Sequence, residues 1–139
     1  MSSEVPTSPG ELVTRFVQLI ERGELDAALL SLADDCVYDN VPFGPVVGPE
    51  AVRATLAPFL APFDIVEWRV ERQLESGSVS TGTVLHERLD RFGLPAPDGS
   101  VEWLELPVAG VFTVTDGRIT LWRDYFDRAP LLDWMSRHG

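Results

Sequence analysis

The chain has 139 residues, which fits one domain with its own hydrophobic core, and residues 1–7 are expected to form a flexible tail. Its net charge of −11 argues against nucleic acid or an anionic membrane surface as a partner, and no apolar run is long enough to span a membrane. One cysteine and no lysine exclude intramolecular disulfides, cysteine-rich zinc sites, Schiff-base chemistry and a P-loop.

The first half of the chain is predicted to hold three helices and two short strands. Residues 1–6 show no basic and then apolar export signal, so a cytoplasmic protein is expected. Ser8, Pro9 and Glu11 form a capping box, and apolar residues follow at helical spacing until Gly23. The remaining elements are a helix over 26–33, strands over 36–40 and 43–47, and a helix from Pro49 to Pro58 or Leu60.

The second half changes to the alternating pattern of strands. Over 65–75 the even-numbered positions from Val66 to Leu74 are apolar and the odd-numbered ones are polar, which predicts a half-buried strand. Helices first and long antiparallel strands after indicate an α+β fold, with helices packed on one strongly curved sheet. Further strands are predicted over 79–92, 101–114 and 118–126, with a loop over 93–100 and a final helix from Pro130.

Three charged residues are candidates for one site. Arg88 and Asp90 lie in one predicted strand and Asp124 in another, with the turns Asp98-Gly99 and Asp116-Gly117 between them. If both turns are of one type, Arg88 and Asp124 lie in one row across a central strand, opposite Ala109 or Val108. Two strand spacings are about 10 Å, which long side chains can bridge over a small central residue. One arginine shared by two carboxyls can keep one ionised and the other protonated, as an acid and a base require.

A second interpretation places these charges in solvent. Leu85 and Leu89 then form the core face of the strand, and His86, Arg88 and Asp90 form its solvated face. The large apolar residues near Asp124 in the predicted sheet instead favour a pocket.

Four stretches of the sequence form a recognisable set in this order: Val37-Tyr38-Asp39-Asn40-Val41, Glu87-Arg88-Leu89-Asp90, Gly110-Val111-Phe112 and the run from Asp116 to Asp127. With these motifs the chain resembles the limonene-1,2-epoxide hydrolase family over about residues 8–135. That resemblance implies the cone-shaped, mixed but mainly antiparallel sheet of nuclear transport factor 2-like proteins, with about four helices, in a homodimer. It also implies that water opens a small hydrophobic epoxide to a vicinal diol without metal, cofactor or covalent intermediate.

The resemblance also implies a role for each site residue. Asp124 is the general base, Asp90 is the general acid, and Arg88 bridges the two carboxyls. Tyr38 and Asn40 position the attacking water. The predicted substrate pocket is formed by Leu106, Val108, Trp122, Phe126, Phe92, Leu131 and His86.

Two alternatives stay open. His86 stands where the family has a small polar residue, so a dehydratase, isomerase or cyclase of the same fold using His86 and Asp90 is the first. The second is a non-catalytic cone that binds a small molecule.

Overall fold

A computed structural model describes residues 5–138, and residues 1–4 of the predicted tail lie outside that range. Among the described residues, no helix combines the length and apolar character needed to cross a bilayer. The elements are α1 (Pro9–Glu21), α2 (Leu25–Leu29), β1 (Leu32–Asn40), β2 (Gly44–Val47), α3 (Pro49–Leu60), β3 (Ile65–Gly77), β4 (Thr81–Pro95), β5 (Val101–Thr115), β6 (Arg118–Tyr125) and α4 (Ala129–His138).

Local sequence accounts for the start of α1. The hydroxyl of Ser8 accepts a hydrogen bond from the backbone N–H of Glu11, and Pro9 occupies the first turn, where its missing N–H costs nothing. The apolar stripe of this helix is buried against the sheet, where Phe16 packs edge-on against Trp122 and Phe112. The face of the sheet that α1 covers is called the inner face below.

The six strands form one mixed sheet in the order β2-β1-β6-β5-β4-β3. β1 and β6 run parallel, and the other neighbouring strands of this sheet are antiparallel. With four helices in residues 5–138, the chain has the predicted α+β fold with a mainly antiparallel mixed sheet. The parallel pair brings the end of β1 beside the end of β6, which matters for the site.

Two element boundaries differ from the predicted ones. The second helix ends at Leu29, and β1 begins at Leu32, so the predicted helix over 26–33 is too long. Apolar spacing could not show this, because a five-residue helix and a strand with buried Leu32 and Cys36 share that spacing. β4 continues to Pro95 because the segment predicted as a loop pairs with the start of β5.

Strand β3 changes face midway. An extra residue, Glu71, forms a bulge between Val70 and Arg72, so the inner face carries Val70 before the bulge and Gln73 after it. Leu74, predicted on the core face, therefore points outward and is 74% exposed. The bulge also turns the polar Gln73 toward His86, the residue it pairs with.

Candidate active site

The inner face of β4 holds the charges that were predicted to meet. His86, Arg88 and Asp90 are 5%, 1% and 4% exposed, whereas Leu85 is 47% exposed. The interpretation in which Leu85 and Leu89 form the core face is therefore wrong. It assumed that charges avoid the interior, but here the charged groups satisfy one another and are buried together.

The predicted row of Arg88 and Asp124 is also corrected. Arg88 lies opposite Val108, but Asp124 lies opposite Gly110, two residues further along the central strand. The two turns differ in length: the connection between β4 and β5 spans residues 96–100, whereas only Asp116 and Gly117 connect β5 to β6. In β6 the unpaired Thr120 then shifts the register of the strand against β5. The offset is even, so both side chains stay on one face and still meet.

Arg88 lies between the two carboxylates. Its Nε and Nη2 donate to the two oxygens of Asp90 at 2.6 and 3.0 Å. Nη2 also donates to Asp124 Oδ2 at 2.8 Å, and Nη1 donates to Asp124 Oδ1 at 3.4 Å. The remaining Nη1 proton faces Nε2 of His86 at 2.9 Å, so all five N–H donors of the guanidinium have acceptors.

The surroundings of Arg88 keep it charged. Burial opposes the charge, but the nearby charges of Asp124 and Asp90 outweigh it and raise the pKa of the guanidinium. Trp68 lies against it, with the guanidinium carbon 4.6 Å from the centre of the indole. Arg88 is thus a fixed positive charge at the centre of the site.

Burial raises the pKa of the Asp90 carboxyl. Loss of solvent raises its pKa to about 6, against the opposing effect of Arg88 and with a smaller contribution from the charge of Asp124. A carboxyl with this pKa holds its proton in about half of the molecules at pH 6 and in about a tenth of them at pH 7. Asp90 is therefore suited to donate a proton to a bound oxygen.

Asp124 is held by a residue whose role the sequence did not reveal. The indole N–H of Trp122 donates to Asp124 Oδ1 at 3.0 Å. Trp122 was predicted to line the pocket, but its ring is fully buried behind the carboxylate. The ring stacks on Tyr38 and packs edge-on against Phe16, and it also lies near the rings of Phe112 and Trp68.

The parallel pairing of β1 and β6 places the two predicted water-positioning residues beside this carboxylate. Asn40 pairs with Asp124, and Tyr38 pairs with Trp122. Tyr38 is buried, and both Tyr38 and Asn40 line the cavity beside Asp124. Burial, and then the charge of Asp124, raise the pKa of Tyr38, so its hydroxyl keeps its proton. The site therefore combines a carboxylate, a hydroxyl and an amide within reach of one small molecule.

These groups open onto an apolar cavity of about 200 Å³ between the inner face, α3 and α4. Five of the seven residues predicted to form the pocket line it, while Trp122 and His86 lie behind Asp124 and Arg88. The lining consists of Tyr38, Asn40, Phe43, Thr55, Leu56, Phe59, Trp68, Asp90, Phe92, Leu106, Val108, Asp124, Phe126 and Leu131.

Several lining residues were missed. Thr55, Leu56 and Phe59 come from one face of α3, and the helical spacing of Leu56 and Phe59 was the available signal. Trp68 was assigned to the inner face of β3 but not to the pocket. Phe43 lies in the β1–β2 turn and packs against Phe126, a contact that local sequence does not indicate.

Gly110 has no side chain, which leaves space for His86 and Asp124 beside the backbone of β5. A Cβ on Gly110 would lie 2.8 Å from His86 Nε2 and 3.2 Å from Asp124 Oδ1. We expect Gly110→Ala to destabilise the fold by about 1–3 kcal/mol, because either side chain must move. Urea unfolding measures this, with Ala109→Ser, an exposed change on the other face of the same strand, as a control that should leave the free energy of unfolding close to wild type. An unchanged free energy of unfolding for Gly110→Ala would contradict the predicted crowding.

Known proteins similar to this chain include epoxide hydrolases. Residues 7–137 match the model of the limonene-1,2-epoxide hydrolase catalytic domain. The chain is 36% identical to epoxide hydrolase EphG of Mycobacterium tuberculosis over 115 residues, which covers 83% of this chain and 70% of EphG. The structure of a limonene-1,2-epoxide hydrolase-like enzyme from M. tuberculosis superposes with a TM-score of 0.68 at 30% identity, over 91% of this chain and 87% of that one.

More distant structures share the fold alone. A SnoaL-like polyketide cyclase structure from Shewanella putrefaciens gives a TM-score of 0.75 at 12% identity, covering 93% of this chain and 96% of that one. The match to the family model and the identity to EphG confirm the resemblance to the limonene-1,2-epoxide hydrolase family. The chain belongs to the limonene-1,2-epoxide hydrolase family and is an epoxide hydrolase.

Proposed function

We propose that the protein adds water to a small hydrophobic epoxide in one step, by general acid and base catalysis, and releases a vicinal diol. The observation that supports this best is the buried Arg88 shared by Asp90 and Asp124 at the wall of an apolar cavity. No covalent intermediate, metal or other cofactor takes part in the proposed reaction, and the proposed location is the cytoplasm.

Asp124 acts as the base in this proposal. The attacking water lies between the Asp124 carboxylate, the Tyr38 hydroxyl and the Asn40 amide. These three groups together orient the lone pairs of the water oxygen toward the epoxide. Asp124 takes one proton from the water as the water oxygen forms a bond to an epoxide carbon. Arg88 and Trp122 hold the carboxylate from behind, so its position does not change during proton transfer.

Asp90 acts as the acid. The carbon–oxygen bond of the strained ring breaks, and the proton of Asp90 passes to the departing oxygen, which becomes the second hydroxyl of the diol. The turnover leaves Asp124 protonated and Asp90 ionised. Transfer of one proton from Asp124 to Asp90, through the product hydroxyls or solvent, restores the starting state.

The cavity defines the substrate class. Apart from the polar groups that take part in the reaction, its walls are almost entirely aliphatic and aromatic side chains. Leu106 and Val108 lie on β5, and Leu131 reaches the cavity from α4. A monocyclic or short branched hydrocarbon epoxide fits a site of this size and character.

The pKa of Asp90 gives a pH prediction. The acid is active in its protonated form, so activity is lost as the pH rises through about 6, the pKa to which burial raises this carboxyl. We expect kcat/KM to fall about tenfold per pH unit above that value. Initial rates between about pH 5 and 9 measure it, and rates that stay level across that range would contradict the role of Asp90 as the acid.

The contacts of His86 do not favour a lyase or cyclase that uses it as a base. Its two ring nitrogens face Gln73 and Arg88, and the residue does not line the cavity. Burial, and then the charge of Arg88, lower its pKa to about 3, so the ring is a weak base.

The proposed function is tested by assaying diol formation from cyclic and branched epoxides of graded size. We expect turnover of the smaller hydrophobic epoxides and a sharp loss once the substrate exceeds the cavity. Tight binding of apolar amides or alcohols with no turnover of any epoxide would contradict the proposal and favour a binding cone.

The homodimer is proposed on the outer face of the sheet. Leu74, Leu85 and Val111 form one row across β3, β4 and β5, and Leu74 and Leu85 are exposed. We expect the Leu74→Glu, Leu85→Glu double variant to be a monomer in light scattering, and Leu30→Glu, at an exposed position after α2, to stay a dimer. A monomeric wild-type protein at micromolar concentration would contradict this arrangement.

A further inference from the structure

A chain of hydrogen bonds connects helix α1 to the centre of the site. Gln73 Nε2 lies 3.2 Å from the backbone oxygen of Gly10 and 3.1 Å from Thr14 Oγ1, both in α1. Gln73 Oε1 lies 3.0 Å from His86 Nδ1. The other ring nitrogen, Nε2, lies 2.9 Å from Nη1 of Arg88. None of these contacts belongs to the acid, the base or the cavity lining.

The groups at the two ends of this hydrogen-bonded series determine which atoms carry the protons. A backbone carbonyl can only accept, so the amide nitrogen of Gln73 faces Gly10 and its oxygen faces His86. Nδ1 of His86 must then carry the proton. At the other end a guanidinium can only donate, so Nε2 of His86 must be unprotonated. The two ends independently require the same neutral tautomer of His86.

The local fold explains why this arrangement exists here. The bulge at Glu71 turns Gln73 to the inner face, and the missing side chain at Gly110 leaves room for the imidazole ring beside Asp124. Phe112 packs edge-on against the ring. Burial and the charge of Arg88 both disfavour a second proton on His86, which supports the neutral form.

We propose that Gln73 and His86 are positioning residues for the hydrolysis reaction, and that the Nδ1–H tautomer of His86 holds Arg88 in the plane that contacts both carboxyls. The inference rests on the proposed function, since it concerns the arginine shared by acid and base. With Nε2 as acceptor, the fifth proton of the guanidinium is satisfied and its rotation is fixed. Without that acceptor, the guanidinium can tilt away from Asp124, whose longer contact with Nη1 is 3.4 Å.

The tautomer is tested without any activity assay. The chain has two histidines, so His138→Gln leaves one imidazole for nitrogen NMR. We expect Nδ1 to carry the proton and the ring to show no titration between about pH 5 and 8. Gln73→Leu in the same background removes the acceptor of the Nδ1 proton, so the Nδ1–H resonance should shift and its exchange with solvent should become faster, while Arg88 still keeps Nε2 unprotonated. A proton on Nε2, or an ordinary titration in this pH range, would overturn the proposal even if the protein hydrolysed no epoxide.

The effect on catalysis is tested with a pair of substitutions. We expect His86→Leu to lower kcat about tenfold to 100-fold with little change in KM, as expected when a hydrogen bond to a charged group is lost. His86→Gln keeps an oxygen that can accept from Arg88 and should recover much of kcat.

The control is Val84→Ala, a buried change on the same face of β4, four residues before Arg88 and opposite Phe112. It should lower the free energy of unfolding and leave kcat close to wild type. If His86→Leu keeps wild-type kcat, or if His86→Gln is no better than His86→Leu, the positioning role is wrong. Should the leucine variant fail to fold, the NMR result decides.

Discussion

Asp124→Asn is expected to lower kcat for diol formation by about 10²–10⁴-fold, the range typical of a lost proton-transfer group. An asparagine can keep the shape of the side chain and accept the hydrogen bond from Trp122, which donates to Oδ1 at 3.0 Å. It cannot take a proton from water. KM should change little, because the apolar walls that bind the hydrocarbon part of the substrate are unaltered.

The matched control is Asp39→Asn, one residue before Asn40. Asp39 binds Arg123 on the other face of the same pair of strands and does not line the cavity. We expect it to keep wild-type kcat. Urea unfolding of both variants separates lost chemistry from lost folding. If Asp124→Asn retains kcat within a few-fold of wild type while folding normally, Asp124 is not the base.

Asp90→Asn is expected to lower kcat by about the same 10²–10⁴-fold, for a different reason. The epoxide oxygen leaves poorly unless it is protonated, and asparagine has no acidic proton to give. The fall of activity above about pH 6 should also disappear, because the group that titrates there has been removed.

The roles of the acid and the base can be distinguished with epoxides whose leaving oxygen needs protonation to different degrees. An epoxide that carries an electron-withdrawing substituent needs less protonation, so the loss in Asp90→Asn should shrink with such a substrate. The loss in Asp124→Asn should not shrink in the same way, because water must still be deprotonated. Glu87→Gln, an exposed change on the other face of β4, is the control. Equal sensitivity of both variants to the substituent would contradict the assigned roles.

The sequence predicted the fold well wherever local signals are strong. The capping box at Ser8, the alternation at the start of β3 and the Asp116-Gly117 turn all appear where expected. The errors in strand register come from single extra residues. Glu71 and Thr120 are unpaired, and each shifts the register of one strand against its neighbour. Nothing in the residue types at these positions distinguishes a bulge from regular pairing, and each bulge bends its strand locally.

The face of the sheet on which the site residues lie was predictable from the alternation of residues along each strand. Arg88, Asp90 and Asp124 come together because strand parity survives an even offset, although the assumed row was wrong. Trp122 and His86 were assigned to the pocket because parity shows the face of a residue but not its depth. Contacts between distant elements, such as Gln73 with α1, depend on how a helix docks and leave no local signal.

In the proposed reaction water attacks the epoxide carbon without a covalent intermediate, and a single turnover in isotopically labelled water can show this. With enzyme in excess over substrate, we expect the diol of the first turnover to carry the label and Asp90 and Asp124 to carry none. An unlabelled first-turnover diol, with label found in either carboxyl group by mass spectrometry of the digested protein, would show a covalent intermediate and rule out direct attack by water.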